Sequence, residues 1–116
     1  MKQTIGFTLS IFLAVLLLAV LYSGPAAGQA KPDGKTIFLA QKCNLCHSIP
    51  PAGIARTVKS EKMAGPDLVN IKTDPALLAK FLHKQAEIEG KKHGKMFTGS
   101  DEELNTVIAW IQSQKK

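Results

Sequence analysis

Residues 43–47 combine two thiols and one imidazole at a spacing that suits a particular chemistry. Cys43 and Cys46 are three positions apart, and His47 follows the second cysteine directly. The C-x-x-C-H pattern is the attachment signature of a c-type haem. Two thiols on one helical turn can each add to one vinyl group of the same porphyrin, and the next imidazole can then reach the iron. The sequence therefore predicts one haem, bound covalently through Cys43 and Cys46, with His47 as an iron ligand.

Three other uses of a C-x-x-C pair have less support. A thioredoxin-type redox pair occurs near a βαβ pattern, whereas this chain shows no strand-like alternation after residue 30. A structural zinc site needs further ligands, and the sequence has no third cysteine. A disulfide between neighbours on one turn would close too small a loop to add much stability. Haem attachment is the preferred interpretation, and a redox dithiol or a zinc site is the alternative.

The N-terminal segment is predicted to direct export. Lys2 precedes an unbroken apolar run from Ile11 to Leu21, and residues 23–30 are rich in small side chains. Gly28 and Ala30 satisfy the small-x-small rule for signal-peptide cleavage. The alternative is an uncleaved membrane anchor, because residues 5–22 have the minimum length of a bilayer-spanning helix. We expect residues 1–30 to be a signal peptide and residues 31–116 to form one exported, periplasmic domain.

The charge of residues 31–116 indicates the kind of partner. Loss of Lys2 leaves fourteen basic side chains against nine acidic ones, a net charge of +5. A basic surface of this kind suits partners with acidic docking surfaces. Nucleic acid is a poor alternative, because the lysines are scattered and aromatic side chains are not interleaved with them. A domain this small is also marginally stable on its own, so a buried haem would supply missing apolar mass.

Helices separated by loops are predicted for the rest of the chain. Asp33 is expected to cap a first helix from Gly34 to about Lys42. Asp74 and Pro75 have the residue types of an N-cap and a first helical position, and they open a second helix. Its apolar stripe is formed by Leu77, Leu78, Phe81 and Leu82. The proline- and glycine-rich stretch between these helices, residues 48–72, is predicted to be loop.

The last helix carries the clearest signals. Ser100 and Glu103 match the S-x-x-E capping box. The buried face is predicted to consist of apolar side chains at helical spacing, namely Leu104, Val107, Ile108 and Ile111. Trp110 lies at the edge of that stripe and is expected to pack on another helix.

The region from Gly34 to the C-terminus resembles a class I c-type cytochrome, a small monohaem protein. The matching features, in chain order, are Gly34 and Phe38, the C-x-x-C-H motif, Gly65-Pro66-Asp67-Leu68, Lys95-Met96-Phe97 and the helix over residues 100–114. The resemblance implies an all-α cytochrome c fold, in which three or more helices wrap around one haem. It also implies that the first and last helices cross closely, since Gly34 lets Trp110 approach.

The resemblance also implies residues for both axial positions of the iron. His47 takes one position, and the carbonyl of Pro66 accepts a hydrogen bond from its other ring nitrogen. Met96 takes the second position, because it lies in the loop before the last helix. Met63 is disfavoured since it precedes the loop that should support His47. His93 and His83 stay open as alternatives, because imidazole also binds haem iron, although His83 is expected to be an ordinary surface or packing residue.

The expected function follows from these ligands. An iron with His/Met ligation has no open position for a substrate, so the resemblance implies a one-electron carrier between redox complexes and not an enzyme. The chain is expected to act as a monomer, with Lys42, Lys91, Lys92 and Lys95 as candidates for the partner surface. Two alternatives stay open: a haem subunit of a dehydrogenase or oxidase complex, and a ligand-sensing haem protein.

Overall fold

Three α-helices form the framework in a computed structural model that describes residues 30–116. They are α1 (Gly34–Ala40), α2 (Pro75–Leu82) and α3 (Asp101–Ser113), and single 3₁₀ turns lie at Cys43–Leu45 and Pro50–Ala52. Across these residues there are no strands, only two isolated bridges. The prediction of an all-α fold with three or more helices is confirmed. The predicted export segment falls on residues 1–30, of which 1–29 lie outside the described residues.

Side-chain caps start all three helices, as the sequence predicted. The carboxylate of Asp33 accepts a hydrogen bond from the backbone N–H of Thr36 at 2.7 Å, which fixes the first turn of α1. The Asp74 carboxylate accepts one from Leu77 at 3.1 Å, directly before Pro75 begins α2. These bonds satisfy donors that helical hydrogen bonding leaves unpaired.

The start of α3 agrees with the sequence prediction, whereas the end of α1 differs from it. Ser100 and Glu103 form the complete capping box of α3, with both reciprocal bonds at 3.2 Å. Helix α1 ends at Ala40, two residues before the predicted end. It ends there because Lys42 adopts the left-handed conformation, with φ 58°, which a continuing helix does not allow.

Helices α1 and α3 pack against each other to form the main core. The side chain of Phe38 is fully buried, and its ring centre lies 5.5 Å from that of Trp110. A Cβ atom on Gly34 would collide with Cβ and Cγ of Trp110, so glycine permits the close approach. The four residues predicted for the buried face of α3 are all buried, namely Leu104, Val107, Ile108 and Ile111.

Helix α2 covers less of the core. None of its residues is fully buried, although Leu78 and Leu82 pack against the core and Leu77 remains 37% exposed. No helix in residues 30–116 has the length and apolarity needed to cross a membrane.

Candidate haem-binding site

The C-x-x-C-H motif follows directly from the end of α1. The left-handed conformation of Lys42 turns the chain out of the helix and into the 3₁₀ turn at Cys43–Leu45. The backbone N–H of His47 then donates to the carbonyl of Cys43 at 3.1 Å. Both cysteines are free thiols and are partly exposed. The two sulfur groups and the imidazole therefore lie on one tight turn, the arrangement that a thioether-linked porphyrin requires.

The surroundings of the Cys43 thiol favour its protonated form. Burial raises the pKa of the Cys43 thiol, and the nearby charge of Lys95 opposes this only in part. Catalytic redox dithiols have a lowered thiol pKa, because the thiolate is the reacting species. This environment therefore gives no support to the redox-dithiol alternative. Among residues 30–116, no group of three or more His, Cys, Asp and Glu side chains is arranged to bind a metal ion.

The imidazole of His47 is held in one tautomer. Its Nδ1 lies 2.7 Å from the carbonyl oxygen of Pro66, which is the contact that the resemblance implied for these two residues. A carbonyl can only accept, so Nδ1 carries the proton and Nε2 has a free lone pair. Burial lowers the pKa of the His47 imidazole, and the bond to Pro66 opposes this shift. His47 is therefore kept neutral, with Nε2 available to a metal.

The loop that carries Pro66 approaches the imidazole through a glycine. A Cβ on Gly65 would lie 2.5 Å from Nδ1 and 2.8 Å from Nε2 of His47, which no side chain tolerates. The backbone N–H of Gly65 donates to the carbonyl of Cys46 at 2.8 Å, and Leu68 donates to Ser48 at 3.0 Å. The sequence motif marked Gly65, but its contact with His47 appears only in the structure.

A second loop, residues 88–98, faces the motif from the other end of the sequence. It begins with a tight turn in which Ile88 and Lys91 exchange backbone hydrogen bonds at 3.0 and 3.1 Å. The two central residues, Glu89 and Gly90, have positive φ, as a type I′ turn requires. The backbone N–H of Phe97 donates to the carbonyl of Leu82 at 2.9 Å, so the end of the loop is fixed to α2.

The same loop is also attached to the end of α1. The ammonium group of Lys95 donates to the backbone carbonyl of Gln41. The Gln41 side-chain oxygen accepts from the backbone N–H and the hydroxyl of Thr98, at 3.3 and 3.2 Å. Sequence reasoning did not identify Gln41, because the partner lies more than fifty residues away and no local pattern signals it.

The loop contains two of the candidates for the second axial position, His93 and Met96. The rings of His93 and His47 are nearly parallel, at 4°, and their centres are 6.1 Å apart. Met96 is 50% exposed, and Met63, in the loop before Gly65, is 61% exposed. His83 lies beside Phe97 with ring centres 6.3 Å apart, in keeping with the surface or packing role expected for it.

The fold and the site together define a small c-type cytochrome, with one imidazole fixed for metal binding beside two thiols. The chain belongs to the cytochrome c family: a family model described as Cytochrome c matches residues 32–115. Membership implies a covalently bound c-type haem, and Cys43 and Cys46 fit its attachment motif. No match to this chain was found among curated proteins or among solved structures.

Proposed function

We propose that this protein is a one-electron carrier whose haem is attached through Cys43 and Cys46 and bound at the iron by His47. The observation that carries the proposal is the fixed tautomer of His47, which leaves Nε2 as a ligand directly beside two free thiols. When bound, the haem supplies a metal centre that gains or loses one electron. The protein residues supply the attachment and the ligand.

The surroundings of His47 suit fast and repeated electron transfer. Its ring is fixed by Pro66 on one side and contacted by the backbone of Gly65 on another. A ligand that is held by packing and hydrogen bonds changes little between two oxidation states, so little structural reorganisation accompanies the transfer. With a second side chain of the 88–98 loop at the opposite position, where the resemblance indicates Met96, no open position would remain for a substrate.

An acidic redox protein is the proposed partner. Lys42, Lys91, Lys92 and Lys95 are exposed, and they lie in or beside the two segments that supply the ligands. Lys95 contacts the carbonyl of Gln41 and influences the thiol of Cys43, so positive charge lies next to the attachment site. Complementary charges accelerate encounter and orient the partner. The rate of electron exchange with an acidic partner should therefore fall as ionic strength increases.

We also propose that the domain works outside the cytoplasm. Cytochrome c domains are typically exported, and the apolar segment at residues 11–21 has the composition of a signal peptide. Mass spectrometry of the native protein tests this proposal. A mature start near residues 29–31, with the added mass of one haem, is the expected result. An intact N-terminus in the membrane fraction would support the anchor alternative.

Acid–acetone extraction and a redox titration test the central proposal. The pigment should stay on the polypeptide, and the protein should be reduced and reoxidised reversibly by one electron. Cys43→Ala and Cys46→Ala should each retain less haem, because each removes one of two tethers. Met63→Ala is a matched control, since Met63 is exposed and its loss should not change haem retention. Pigment that moves entirely into the organic phase would refute covalent attachment.

A further inference from the structure

The imidazole rings of His93 and His47 lie close together in the fold, although 46 positions separate the two residues in the sequence. Their rings are parallel to within 4°, and their centres are 6.1 Å apart. Offset-stacked aromatic rings have their centres about 4.5–7 Å apart, so this distance is compatible with simple packing as well as with a ligand shared by the two rings. Imidazole–metal bonds are about 2 Å long, and two imidazoles that bind one metal from opposite sides therefore hold their centres about 6 Å apart. The observed separation fits a shared metal.

The hydrogen bonding of His93 repeats that of His47. Nδ1 of His93 lies 2.5 Å from the backbone carbonyl oxygen of Lys95. Because a carbonyl only accepts, Nδ1 must carry the proton, and in the neutral imidazole Nε2 then has the free lone pair. A metal-binding histidine usually donates its other ring N–H to a carbonyl or a carboxylate. Both imidazoles thus have the tautomer and the support that metal ligands have.

Packing also fixes the orientation of the His93 ring. The ring of Phe81 meets it edge-on, with centres 5.1 Å apart and an angle of 64°. The loop itself is attached at both α1 and α2, through Lys95 with Gln41 and through Phe97 with Leu82. These contacts fix the position of the His93 ring within the fold. Met96 lies in the same loop, but half of its side chain is exposed.

We propose that Nε2 of His93 is the second axial ligand of the haem, opposite His47, in place of Met96. The inference rests on the proposed function and specifies its ligand set and its redox range. Imidazole stabilises ferric iron better than a thioether does, and a methionine ligand raises the potential. The protein is then a low-potential carrier, suited to partners that supply electrons at low potential, and Met96 is a surface residue of the loop.

Optical spectra of the mature haem protein test this assignment. Thioether ligation to low-spin ferric iron gives a weak sulfur-to-iron charge-transfer band at the red end of the visible spectrum. The wild type should lack this band, and neither Met96→Ala nor the control His83→Ala should change the spectrum or the potential. His93→Ala should lose the native ligand, so that its reduced form binds carbon monoxide or its ferric form acquires the sulfur band from Met96. His93→Met should gain the band and show a higher potential.

Several results would overturn the assignment. They are a sulfur band in the wild type that disappears in Met96→Ala, an unchanged six-coordinate spectrum in His93→Ala, and carbon monoxide binding by the reduced wild type. If His93→Ala fails to fold, the spectra of the wild type and of Met96→Ala still distinguish His93 from Met96 as the second axial ligand. Covalent attachment and the one-electron titration are measured on the same samples. A covalent, redox-active haem with methionine ligation refutes this inference alone, whereas loss of the pigment on extraction refutes the proposed function.

Discussion

Gly65→Ala should destabilise the haem site through its contact with His47. The new Cβ would lie 2.5 Å from Nδ1 and 2.8 Å from Nε2, whereas ordinary contacts are 3.4–4 Å. The ring must therefore withdraw by about 1 Å, which stretches the Nδ1–Pro66 distance from 2.7 Å to about 3.7 Å, beyond hydrogen-bonding range. If the backbone moves instead, the 2.8 Å bond from Gly65 to Cys46 is lost.

Two contributions set the size of the effect. Overpacking costs about 1–3 kcal/mol, and the lost hydrogen bond costs about 1 kcal/mol. The free energy of unfolding should fall by about 2–4 kcal/mol, and with a slope of about 1 kcal/mol per molar urea the midpoint should fall by about 2–4 M. The potential should also rise, because a His47 ring that no longer donates to Pro66 is a weaker base and stabilises ferric iron less.

Urea unfolding of the haem protein, followed by circular dichroism, measures this loss, and a redox titration measures the potential. Gly94→Ala is the matched control, because a Cβ at Gly94 meets nothing within 4 Å. Its midpoint should stay close to that of the wild type. If Gly65→Ala has the wild-type midpoint and potential, the close contact between Gly65 and His47 does not exist as described and the reasoning is wrong.

Three further predictions concern helix packing, capping and the cofactor. Gly34→Ala should lower the free energy of unfolding by about 1–3 kcal/mol, because its Cβ meets the Cβ of Trp110, which cannot rotate away. A urea midpoint equal to that of Gly94→Ala would contradict this prediction. The bond from Thr36 lowers the pKa of Asp33 below its ordinary value of 3.8, so the stability from this cap is present above that pH and is lost as the pH falls through the lowered pKa. Asp33→Asn, which does not titrate, should show a weaker acid dependence of the urea midpoint, and identical pH profiles would argue against the cap. Haem-free protein should lack stable tertiary structure, since α2 buries no residue fully and folding is linked to cofactor binding. Well-dispersed amide resonances from haem-free protein would refute this prediction.

The contacts of His93 favour it over Met96 as the proposed second axial ligand. The sequence resemblance placed Met96 there. In the structure, a carbonyl, an aromatic ring and two loop attachments all fix His93, and its ring faces that of His47. The ligand set decides whether the carrier works at high or at low potential, and therefore which class of partner can reduce it.

The amino-acid sequence by itself determined the features that depend on neighbouring residues. The attachment motif is contained in five consecutive positions, and the caps of α1 and α3 join residues only three apart. Such contacts need no knowledge of the fold, because the chain brings the partners together once the helix begins. The apolar stripe of α3 was predictable for the same reason, since helical periodicity alone places Leu104, Val107, Ile108 and Ile111 on one face.

Only the tertiary structure decided which distant groups meet. The sequence identifies Gly65 as part of a motif. Its contact with His47, however, depends on the path that residues 48–65 take in the folded chain. The proposed assignment of His93 in place of Met96 is of the same kind. The two residues lie three positions apart in one loop, and sequence position cannot separate them. Turn geometry at 88–91 and the attachments to α1 and α2 determine which side chain faces His47, because these long-range contacts set the direction of the loop.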